Sequence, residues 1–169
     1  MNQSLCLAPW RARGLGILRI AFGVVWAIDA WFKWQPDFIH NFVDYLTGAQ
    51  EGQPAAVRAW IGLWINVVHI NPHFFAYAVA VGETAVAIGL LFGLFSNATC
   101  IVGILLSVMI WATAEGFGGP YKPGSTDIGS ALIYAIVLAA LFLTSAGRFV
   151  GVDPLLDRHL GRCRFLASG

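Results

Sequence analysis

Residues 73–95 read HFFAYAVAVGETAVAIGLLFGLF, an apolar run broken inside by a single charged side chain, Glu83. A bilayer-crossing helix needs roughly 20 mostly apolar residues, and this stretch is long enough. Three further windows qualify: residues 14–33 (beginning GLGILRIAFGVVWAIDAWF), 98–114 (ATCIVGILLSVMIWATA) and 128–147 (IGSALIYAIVLAALFLTSAG). The first is too long for a signal-peptide core and lacks a clear small-x-small cleavage step, so it reads as a retained helix. The expectation is an all-α, integral membrane four-helix bundle forming a single domain over 1–169. An interfacial helical segment, 36–72, lies on the outer side between spans one and two, and a tail follows at 148–169.

Composition agrees. Of the 169 residues 58% are hydrophobic and 11% charged, against about 25% charged in an average soluble domain. The net charge of +1 offers no basic face for nucleic acid. Cys6, Cys100 and Cys163 stand far apart with no C-x-x-C pair, which leaves a dithiol mechanism without support.

Direction follows from the basic residues. Arg11, Arg13, Arg148, Arg158, Arg162 and Arg164 flank one side, against Lys33, Arg58 and Lys122 on the other. Both termini are therefore expected in the cytoplasm of an inner-membrane protein, with 36–72 and the loop GFGGPYKPGSTDIG (116–129) on the outer face. In the outer segment Val57, Trp60, Ile61, Trp64 and Val68 form one apolar stripe on a helix lying along the bilayer. Pro54 and Asn71-Pro72 are its stops.

Ionisable groups within spans are costly and face partners or cavities. Arg19, Asp29, Lys33, Glu83, Glu115 and Asp127 are the ones to explain. Glu83 is eleven residues beyond Pro72 and Arg19 fourteen before Lys33, about 16 and 21 Å deep at about 1.5 Å per residue. That depth predicts an Arg19–Glu83 pair, serving either helix packing or proton movement. Asp29 and Lys33 have the spacing of a local ion pair. Asp127, with Ser125 and Thr126, suits the N-cap of span four. A pocket open to the outer side would explain the acidic groups together.

Trp31, Trp34, Trp60, Trp64 and Trp111 map near the outer interface, as an aromatic belt or, for Trp31, Trp34 and Trp111, as walls for a flat ligand such as a quinone. His69 and His73 are four apart, a weak metal-ligand spacing that Pro72 interrupts; hydrogen bonding of His40, His69 and His73 at the interface is the other reading. No haem, flavin or iron–sulfur motif is present.

Several of these residues carry a resemblance. Leu18-Arg19-Ile20, Lys33 and the G-E-x-x-x-A-x-G-L-L-F-G run from Gly82 to Gly93 resemble the DoxX/DoxD superfamily of small membrane proteins. The run W-x-x-x-E-G-F-G-G-P-Y-x-x-G-x-T-D-I-G, Trp111 to Gly129, is similar to the DoxD branch, which includes the membrane subunit of thiosulfate:quinone oxidoreductase. The likeness spans about residues 14–155. It departs at Asp29-Ala30, where many members carry a His-Gly-like step. The resemblance implies a quinone acceptor, electrons from thiosulfate, and an outer protein subunit absent from this chain. In that scheme Glu83, Arg19, Asp29, Asp127 and Glu115 are candidate relay groups. Lys122, Arg58, Gly118, Gly119 and Tyr121 are candidates for holding an oxyanion, through amides or cations, unless the loop is a plain interhelix turn. The alternative is a non-catalytic accessory or assembly subunit of a larger membrane complex, packed through Gly82, Ala85, Gly89 and Gly93 of span two.

Overall fold

The computed structural model describes residues 9–123, 125, 127–148, 151–153 and 166. Cys6, Cys163, Arg158, Arg162, Arg164, Gly124 and Thr126, and most of the expected tail, lie outside the described residues. Among those described, the chain is all-helical: α1 (Pro9–Lys33), α2 (Pro36–His40), α3 (Phe42–Gly48), α4 (Ala55–Val68), α5 (Pro72–Phe92), α6 (Ser96–Ala112) and α7 (Ser130–Leu143). Short 3-10 turns follow at Gly116–Gly118 and Ala146–Arg148.

Two helices, Trp10–Lys33 and Pro72–Phe92, are long and apolar enough to cross a membrane. The windows at 98–114 and 128–147 give shorter apolar helices of 17 and 14 residues. At about 1.5 Å per residue α7 is only about 21 Å long, because Ile128 and Gly129 belong to the preceding loop and Ala146–Arg148 coil into a 3-10 turn. The outward faces carry large apolar side chains, Ile17, Ile28, Val81, Leu105 and Ile136 among them.

Proline and asparagine set the breaks. Pro36 opens α2, where its missing N–H costs nothing. The Asn71 side chain accepts from Phe74 N at 3.1 Å, and Pro72 starts α5. Gly93 ends α5 with φ 61°, a left-handed cap that glycine adopts without strain. The Asp153 carboxylate then accepts from Ser96 N at 2.9 Å, capping α6, while Val152 N and Asp153 N donate to the Phe92 and Gly93 carbonyls.

α1 packs on α5, α5 on α6 and α6 on α7. Phe22 and Trp26 of α1 meet Val86 and Leu90 of α5 and Leu138 and Leu141 of α7 in one core. A second core joins Phe38, Phe42 and Leu46 of α2 and α3 to Ile61 and Val68 of α4 and Ala76 of α5. The expected α4 stripe thus turns Ile61 and Val68 fully inward, with Val57 and Trp64 partly buried against the same core and Trp60 left at its exposed edge.

The small residues of α5 are used within the chain. Gly82 faces Leu106, Gly89 faces Thr99, and Gly93 faces Arg19; a methyl group at Gly89 or Gly93 would overlap its neighbour.

Candidate functional site

α5 begins well beyond the end of α1. Lys33, the last residue of α1, reaches Glu83, eleven residues into α5, and Trp34 packs on Tyr77, so the first turns of α5 project past α1. Helices α2, α3 and α4 fold onto that projection, and their second core leaves a cavity of about 610 Å³ between them and α6. Its aromatic walls are Phe32, Phe38, Phe42, Tyr45, Trp64 and Phe75; Val79, Leu106, Met109 and Ile110 supply aliphatic surface. The ionisable side chains that line it, Tyr45 aside, are Lys33, Asp37 and Glu115. A concave, mostly apolar space with a few polar groups is the usual form of a small-molecule site.

Lys33 connects this cavity to the interior. Its ammonium lies 3.2 Å from Asp29 Oδ1 and 3.5 Å from Glu83 Oε1, and 5.5 Å from the centre of the Phe38 ring. The Glu83 side chain is 1% exposed and Asp29 36%. One ammonium therefore serves two carboxylates, one buried and one partly open. The helical spacing of Asp29 and Lys33 produces the expected local pair.

The expected Arg19–Glu83 pair does not form: Lys33 takes that position. Lys33 is not level with Pro72, because α5 overshoots α1. Arg19 is buried near the middle of α1, level with the C-terminal end of α5, its guanidinium against Gly93, with Nη1 3.0 Å from where a Gly151 Cβ would lie.

Glu115 both lines the cavity and holds the start of α7. Its carboxylate accepts from Ser130 Oγ at 2.8 Å and from Ala131 N at 3.1 and 3.2 Å. The cap expected from Asp127 is thus supplied by Glu115, because α7 starts at Ser130, three residues later. Asp127 instead accepts from its own neighbour, Ile128 N, at 2.7 Å.

The 116–129 loop is ordered by its own hydrogen bonds. Amides of Gly116, Gly118 and Gly119 donate to the carbonyls of Thr113, Glu115 and Gly116. Lys122 N donates to Ser125 Oγ at 3.0 Å, and Tyr121 OH to Phe117 O at 2.6 Å. These N–H groups are consumed internally, so Gly118 and Gly119 do not present the open amide nest that an oxyanion needs. Gly118 has φ 76°, and a side chain there would overlap the backbone of Ile128. Tyr121 is exposed. The Lys122 ammonium lies beside Gly52, and Arg58 is exposed on α4; neither lines the cavity. Buried Gln53 fastens the α3–α4 connection to this loop, donating to Gly116 O at 3.1 Å.

Trp31, Trp34 and Trp111 do not wall the cavity. Trp31 is 67% exposed. Trp34 donates to Thr84 Oγ1 at 3.0 Å, and Trp111 to Ile128 O at 2.8 Å. The aromatic walls come instead from Phe32, Phe38, Phe42 and Phe75 with Tyr45 and Trp64. Phe32, Phe38 and Phe42 stand six and four residues apart across two helix breaks, a spacing that carries no single helical period. The His73 ring packs 6.1 Å from His40, not on His69. Among the described residues no group of three or more His, Cys, Asp or Glu side chains gathers as metal ligands.

Comparison with family models, curated proteins and solved structures finds no match to this chain.

Proposed function

We propose that this chain is a four-span inner-membrane subunit, both termini cytoplasmic, that binds a quinone in the cavity beside Lys33 and serves a thiosulfate:quinone-type oxidoreductase. The observation that carries the reading is the position of Lys33: it lines an aromatic cavity of about 610 Å³ and touches the buried carboxylate of Glu83. An ammonium there donates a hydrogen bond to a ring carbonyl, and Glu83 and Asp29 behind it supply and accept protons. In the overall reaction two thiosulfates each lose one electron and join through a new S–S bond as tetrathionate. The quinone takes both electrons and two protons to become quinol. The internal closure of the 116–129 amides favours thiosulfate oxidation on an outer partner subunit, with this chain as the quinone-binding half. α6 and α7, too short to cross a full bilayer straight, are completed on this reading by their flanking turns and local thinning.

The test is menadione binding to the purified chain in phosphatidylcholine nanodiscs, read by quenching of tryptophan fluorescence. Saturable binding that Met109→Trp abolishes supports the reading; quenching no different from empty-disc partitioning sinks it. Thiosulfate-dependent menadione reduction in membranes containing the outer partner then tests the donor.

A further inference from the structure

The cavity carries an uneven charge. Asp37 and Glu115 line it, and neither has a cationic partner among the described residues. Among the described residues Lys33 is the one lysine or arginine in the lining, and it is already faced by two carboxylates, Asp29 and Glu83. Arg58 and Lys122, the other basic residues of the neighbouring segments, stay outside. The walls are aromatic faces, and Lys33 itself sits 5.5 Å from the Phe38 ring. Ring faces attract cations through their quadrupole, and Asp37 adds a negative charge at the open mouth of the cavity.

We infer that the cavity sorts charged ligands by sign: it takes a hydrophobic organic cation, a quaternary ammonium or phosphonium bearing aromatic groups, and excludes an anion of the same shape. The property rests on the lining and not on quinone chemistry, so it stands or falls separately from the reading above. It also accounts for an anionic donor being handled elsewhere.

Tetraphenylphosphonium and tetraphenylborate make the test clean, since they share one shape and differ in sign. Both are titrated against the full chain in phosphatidylcholine nanodiscs, which carry no net charge, with empty discs subtracted. The cation binds with one site per chain and at least about tenfold more tightly than the anion, a preference of about 1.4 kcal/mol. Asp37→Asn weakens the cation several-fold. This variant alters an exposed side chain, so it spares the core. Equal binding of the two ions, or full-strength cation binding in Asp37→Asn, overturns the inference. Menadione binding without tetraphenylphosphonium binding leaves the quinone reading standing and removes this one; the reverse result does the opposite.

Discussion

Lys33 ends α1 with its ammonium 3.5 Å from Glu83 Oε1, the buried carboxylate of α5. This contact fixes the register of the two longest helices, and it places the buried acid behind the cavity.

Removing the ammonium while leaving the acids is therefore costly. Breaking a buried pair from one side costs roughly 3–5 kcal/mol; Lys33 is 19% exposed, so Lys33→Met is expected near the lower end. Glu83→Gln is milder, because Lys33 keeps Asp29. Combined, the two changes restore part of the loss. Melting temperatures of the four proteins in one detergent check this, and simple additivity in the double variant would show that the pair is not coupled.

Glu115→Ala strips the N-terminus of α7 of its acceptor. Loss of a cap costs about 1 kcal/mol. The effect is local: amide exchange accelerates at residues 131–133 and remains slow in α5. Glu115→Gln, which keeps an acceptor oxygen, recovers much of the protection. Unchanged exchange in the alanine variant would remove Glu115 from this role.

Gly118→Ala is predicted to be far worse than Gly14→Ala. Gly118 has positive φ and no room beside Ile128, whereas Gly14 has nothing within 4 Å. Strain at positive φ alone is about 1 kcal/mol, and the overlap adds to it. Gly14→Ala, on an exposed helix face, gains up to about 1 kcal/mol of helix propensity. Thermal unfolding of the two variants side by side settles the order.

Trp34→Phe keeps a ring against Tyr77, 6.0 Å away, and loses the bond to Thr84. A single neutral hydrogen bond contributes about 1 kcal/mol, so the melting temperature falls slightly. Menadione binding is unaffected, since Trp34 is outside the cavity. A large loss of binding would mean that this tryptophan belongs to the wall after all.

Much of the frame was legible in the sequence. Apolar length located α1 and α5, and it found α6 and α7 within a few residues. Pro54 and Asn71-Pro72 bounded α4 as expected, but its apolar stripe, expected to lie along the bilayer, packs Ile61 and Val68 into the protein core instead. The site was less legible. Arg19 was matched to Glu83 by counting depth from two ends assumed level, and only the docking of α2–α4 onto α5 reveals the overshoot. Glu115 caps a helix fifteen residues away, a relation that no local capping pattern encodes. The cavity wall mixes residues of α1 to α6, so its membership depends on packing that periodicity within one helix does not report.

Between the Lys33–Glu83 contact and the buried Arg19 midway along α1 stands a tier of Phe22, Leu90 and Leu138, the last two with no exposure at all. Such a plug acts as insulation. A charge at the Lys33 mouth is thereby parted from the Arg19 guanidinium by side chains that carry no polar group.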